Sequence, residues 1–188
     1  MFSIHTRRPA FGGLALAAMA ALVAIAPVAA SDMIQTITAG TRSASIPNLS
    51  LPSVVYSHSA ATSTGTLTLT ADDSTGSNLG WNVTIQSSDW VYSGGNNGSN
   101  VPAANLALTS ASAATRTAGQ AVDGVGGPMV PLISPVGTLD TARKVLQAAI
   151  LFGNGTYTQT LDVSLAIPAQ SAAGTYTGTL TTTISAAP

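Results

Sequence analysis

Trp81, Trp90 and Tyr92 fall in one short stretch, Gly80-Trp81-Asn82-Val83-Thr84-Ile85-Gln86-Ser87-Ser88-Asp89-Trp90-Val91-Tyr92. Rings at that density either fill a core or present a flat apolar face with a polar handle to a ligand such as a sugar. Trp81 alternates in phase with Val83 and Ile85, which predicts a core position, because exposing it would expose the whole stripe. The missing side chain of Gly80 is expected to leave room for its indole. Trp90 follows the polar break Ser87-Ser88-Asp89 and precedes a Gly- and Asn-rich loop. It is expected to be the more exposed ring, able with Tyr92 to form an aromatic platform, and Trp81, Trp90 and Tyr92 are the candidate ligand-contact or supporting residues.

Acid–base, nucleophilic and metal chemistry find little to work with. Beyond the first thirty residues there is one histidine, His58, in Tyr56-Ser57-His58-Ser59, which reads as a surface turn. No Gly-x-Ser-x-Gly elbow exists, so no catalytic residues are assigned and no enzyme is expected. Asp72-Asp73 opens the turn Ser74-Thr75-Gly76-Ser77-Asn78. It reads either as a weak calcium site built from oxygen ligands or, preferably, as an Asx-turn cap. Arg143-Lys144 reads as a solvated pair, and no metal or cofactor is assigned.

Composition narrows the class further. The chain has 188 residues, six basic and seven acidic, with no cysteine and a net charge of −1. No basic patch suited to nucleic acid is present. Low charge favours association, as in a protein that sits against something. Arg7 and Arg8 precede the apolar run Phe11–Ile25, and Val28-Ala29-Ala30 offers small residues to a peptidase. This pattern reads as a secretory signal peptide over 1–30, too short for a membrane span. The rest, 31–188, is expected to be one secreted domain without disulfides.

The elements that must position these residues read as antiparallel strands. Thr66–Ala71 puts Leu67 and Leu69 inward and threonines outward, and with Trp81–Ile85 it predicts a β-hairpin. Leu161, Val163, Leu165 and Ile167 share the face of another strand. Thr175–Ser185 reads as a closing strand with Tyr176, Gly178, Leu180, Thr182 and Ile184 in phase. Fainter strands are expected at Met33–Thr38, Val54–Ser57 and Asn105–Thr109. Within 138–152, periodicity admits a helix ending at Gly153 or a buried strand over Val145–Phe152, and the β surroundings favour strand. The expected fold is all-β, an antiparallel β-sandwich with Greek-key-like connections.

Three passages carry a family resemblance. Leu67-Thr68-Leu69-Thr70-Ala71-Asp72-Asp73 runs through Gly76 into Gly80-Trp81-Asn82-Val83-Thr84. Val145–Gly155 leads into Tyr157. Ala173-Gly174-Thr175-Tyr176-Thr177-Gly178-Thr179-Leu180 continues to Ala186-Ala187-Pro188. Together they resemble the WxL domain of bacterial surface proteins, in a divergent form. Trp81-Asn82-Val83 stands for the first Trp-x-Leu copy, and Thr182-Thr183-Ile184 replaces the second. The resemblance implies non-covalent association with the cell wall through peptidoglycan or an associated glycan, outside the cell. The alternative expectation is a self-assembling subunit of a surface fibre or layer, with Ser31–Ser45 adding to a neighbour's sheet edge. Other surface proteins are further possible partners.

Overall fold

The structure is a computed structural model that describes residues 33–186. The leader expected over 1–30 and the closing Ala187-Pro188 of the resemblance lie outside the described residues. Met33–Thr36 is exposed and belongs to no strand or helix, and the described residues from Ile37 onward form one compact unit.

Alternation of apolar and hydroxyl residues builds the two long strands. In β2 (Ala61–Asp73), Leu67, Leu69 and Ala71 point inward and are buried, while Thr66 and Thr68 face water. In β9 (Gly155–Ile167) the inward row is Tyr157, Gln159, Leu161, Val163 and Leu165. These two strands pair antiparallel along their whole length, Ala61 opposite Ile167 and Asp73 opposite Gly155. β1 (Arg42–Ser45) extends the sheet beyond β2. Beyond β9 it continues with β5 (Leu106–Ala111), β6 (Thr115–Gly119) and the short β7 (Gly137–Thr138).

A three-stranded sheet faces this one. Its centre is β3 (Trp81–Ser87), with β8 (Arg143–Ala148) on one side and β11 (Leu180–Ala186) on the other. Beside it, β4 (Val91–Ser93) and β10 (Thr175–Thr177) form a separate two-stranded ribbon. Every ladder is antiparallel. Trp81, Val83, Ile85 and Val145 from the smaller sheet join Leu69, Leu108, Tyr157 and Leu161 from the larger in one core. The expected all-β, sandwich-like fold is what forms.

Several local expectations change. β2 and β3 are not a hairpin, because β2 pairs with β1 and β9 whereas β3 pairs with β11 and β8. The Asp72–Gly80 turn carries the chain from one sheet to the other. Strand prevails over helix around Val145, but it ends at Ala148, and Ile150 and Leu151 are exposed in a turn. A bulge opposite Val83 and Thr84 lets the adjacent Val145 and Leu146 both be buried. Met33–Thr38 and Val54–Ser57 form no strand, because neither finds a neighbouring ladder. The closing segment is two strands, broken at Gly178-Thr179, where the chain passes from the ribbon to the smaller sheet.

Asp73 forms the Asx-turn. Asp73 Oδ1 accepts from the Thr75 N–H at 3.0 Å and Thr75 Oγ1 at 2.6 Å, and Oδ2 pairs with Arg42 Nη2 at 2.8 Å. The Asp72 oxygens accept from Ser74 Oγ and Thr156 Oγ1. Both carboxylates are thus engaged by the protein's own donors. Burial works to raise the Asp73 carboxyl, but its hydrogen bonds from Thr75 and Arg42 and the Arg42 charge outweigh burial and hold it below the ordinary carboxylate value. Hydrogen bonds from Ser110 and Thr66 lower Asp162 in the same sense. A carboxyl depressed on folding contributes stability above its unfolded value, about 3.9, and loses it as pH falls through the folded value. Urea midpoints are therefore expected to stay level near neutrality and fall on acidification below about pH 4, with Asp73→Asn flattening that acid limb.

Candidate functional site

Near Ser63 a cavity of about 820 Å3 is lined by both sheets, the β10 ribbon and the loop between β1 and β2. One wall is the strap Ile46–Ser53 between β1 and β2. Ile46-Pro47 and Leu51-Pro52 hold it extended, since the residue before proline is pushed out of the helical region and proline itself donates nothing. Leu49 and Leu51 lie over Gly65 of β2, where a Cβ would come within 2.8 and 2.6 Å of their δ carbons. Ser63 Oγ donates to Pro52 O at 2.9 Å and pins the far end. The opposite wall is β10 with the start of β11, and Leu67, Leu106, Val163 and Leu165 make the floor.

Trp90 enters this cavity from the side. Its backbone exchanges hydrogen bonds with Val101 at 2.8 and 3.0 Å, and Asp89 Oδ1 accepts from the Ala103 N–H at 2.8 Å. The indole lies on Gly178, where a Cβ would be 2.9 Å from the ring. Trp90 is half-buried, and its Nε1 is buried with no acceptor among the described residues. Such a donor is suited to an oxygen brought by a ligand.

Tyr92 is not part of the cavity wall. Its hydroxyl donates to Ala173 O at 3.0 Å and accepts from the Asn96 N–H at 3.1 Å. Its ring is boxed by Gly94, Gly98 and Gly174, and meets Tyr176 at 5.2 Å between centroids. Tyr92 therefore supports Tyr176, which does line the cavity and donates its hydroxyl to Ala172 O at 2.9 Å. Burial, with Tyr92 alongside, raises the Tyr176 phenol above its ordinary value, so it stays protonated at neutral pH.

Trp81 is fully buried and more enclosed than Trp90, as the alternation predicts. The reason given for Gly80 is different in the structure. Gly80 has φ +69, and a Cβ there would strike the Ala148–Ala149 backbone. The glycine that makes room for the indole is Gly153, whose O accepts from Trp81 Nε1 at 2.9 Å and whose Cβ would lie 2.7 Å from that nitrogen.

The three aromatics singled out in the sequence thus divide into a core ring, a cavity wall and a support. The strap and Tyr176 were not singled out, although Ile-Pro-Asn-Leu-Ser-Leu-Pro signals an extended segment that cannot join a central ladder. No Asp, His, Lys or Arg is among the cavity walls. His58 is exposed and stands edge-on to Tyr56 at 5.4 Å. Arg143 Nε donates to Thr138 O at 2.7 Å, and Lys144 is exposed. Among the described residues no group of His, Cys, Asp or Glu could hold a metal ion, and no helix is long and apolar enough to cross a membrane. No protein-family model matches the chain, and neither the curated proteins nor the solved structures give a match.

Proposed function

We propose that this chain is a secreted, non-catalytic module that holds non-covalently to the bacterial cell wall, through peptidoglycan or an associated glycan. The observation that carries the reading is the cavity, with an indole beside Ser, Thr and Asn side chains and no charged group in its walls. A sugar ring would lay its C–H face on Trp90 and place hydroxyls on the polar rim. The likeness of three passages to a WxL domain supports the same reading, as does the low charge. The leader-free chain is expected to sediment with insoluble peptidoglycan. Complete recovery in the supernatant at physiological salt would overturn this function.

Trp90→Ala tests the cavity itself. It is expected to cost roughly 1–2 kcal/mol of stability, in keeping with half-burial, while abolishing sedimentation with the wall. Unchanged retention by this variant would remove Trp90 from the contact surface.

A second reading, a self-assembling surface subunit, is favoured by a different observation. β10 and β11 each pair with one strand only among the described residues, although β1 stands close to part of β11, and Met33, Ile34 and Ile37 are 99%, 89% and 90% exposed.

A further inference from the structure

We propose that the seam between the strap Ile46–Ser53 and the edge β10–β11 receives the exposed segment Met33–Ala39 of a second copy of this chain as an added strand. The proposal rests on the self-assembly reading and names its contact.

The edge is prepared for a strand. Tyr92 N–H donates to Asn100 Oδ1, Trp90 N–H to Val101 O and Ser87 N–H to Leu139 O, all away from β10 and β11. The cross-strand neighbours of Tyr92 and Ser87, Tyr176 and Leu180, therefore sit at positions that do not share ladder bonds. Tyr176 and Leu180 accordingly turn N–H and C=O outward to the free edge beside the cavity. Neither of them has a backbone partner on that side among the described residues. Across the seam the strap makes no backbone–backbone bond either among the described residues, its one polar tie there being Ser63 Oγ to Pro52 O. Two unpaired walls above an apolar floor are what an inserted strand completes.

The donor has matching features. Met33–Ala39 lies in no strand or helix, is uncharged and exposed, and among the described residues the first backbone bond is Gly40 N–H to Ser74 O. Neither the segment nor the cavity wall carries a charge, so insertion desolvates none. The segment is seven residues long, the number that the cavity wall Gly174–Leu180 presents.

Exposure favours a second copy over the chain's own tail. Met33, Ile34 and Ile37 are all but fully exposed, so none of them covers the seam of its own chain. Each copy would then donate to the next, and such heterologous contacts build rings or filaments.

The chain lacks cysteine, which permits a clean test. The leader-free protein is expected to elute as concentration-dependent oligomers. Ile34→Asp with Ile37→Asp, both on exposed residues that the fold does not need, should weaken association about a hundredfold or more. Thr36→Cys combined in turn with Thr179→Cys or Thr181→Cys should give a covalent ladder under oxidising conditions in at least one pairing. Oligomers indifferent to the two aspartates and unlinked by either cysteine pair would overturn strand insertion and leave self-assembly standing. A monomer at every concentration would overturn both.

Discussion

Trp81→Ala is expected to lower the unfolding free energy by about 3–5 kcal/mol, the penalty for truncating a buried large aromatic. The ring is fully buried and packs on Tyr157 at 6.2 Å between centroids. It also satisfies a buried carbonyl, since Nε1 donates to Gly153 O. Alanine would leave a cavity in the core between the sheets and strip that carbonyl of its donor. Gly153 cannot move in to compensate, because it holds φ +81 in the turn that follows β8. Urea denaturation of Trp81→Ala beside Trp90→Ala measures the difference. Equal losses, or a larger loss at Trp90, would refute the division into core ring and cavity ring.

Asp73→Ala is expected to be the next most damaging change, by about 3 kcal/mol, the lower end for breaking a buried ion pair. The Asp73 and Arg42 side chains are 1% and 13% exposed. Removing the carboxylate leaves the guanidinium without its counter-charge, and Arg42 Nε already has no partner among the described residues. It also releases Thr75 and so loosens the turn that carries the chain between the sheets. The lower end is chosen because Arg42 keeps some contact with water. Asp73→Asn should lose less, since an amide oxygen can still accept from Thr75. A loss of under about 1 kcal/mol for Asp73→Ala in urea denaturation would show that the pair is no more than a surface contact.

Much of this architecture is legible in one dimension, because a strand's side chains alternate and burial selects one face. Leu67, Leu69 and Ala71 fix the inner face of β2, and Leu161, Val163 and Leu165 do so for β9. Trp81 is placed in the core by its phase with Val83 and Ile85, before any neighbour is known. The Asx-turn at Asp73 is equally local, since its bond spans two residues.

Only the tertiary structure decides which strands meet. Alternation gives a face but no partner, so β2 and β3, adjacent in sequence and both well patterned, read as a hairpin and lie in opposite sheets. Strand character over Met33–Thr38 and Val54–Ser57 depends on a ladder that the fold does not supply to either, while Arg42–Ser45 gains one beside β2. The cavity is of the same kind, for its strap, floor and edge come from Ile46–Ser53, Val163 and Leu165, and Tyr176–Leu180. No local pattern joins segments so far apart along the chain. They meet because Trp81, Tyr157 and the leucines of both sheets must be taken out of water together, and that burial is a property of the whole core.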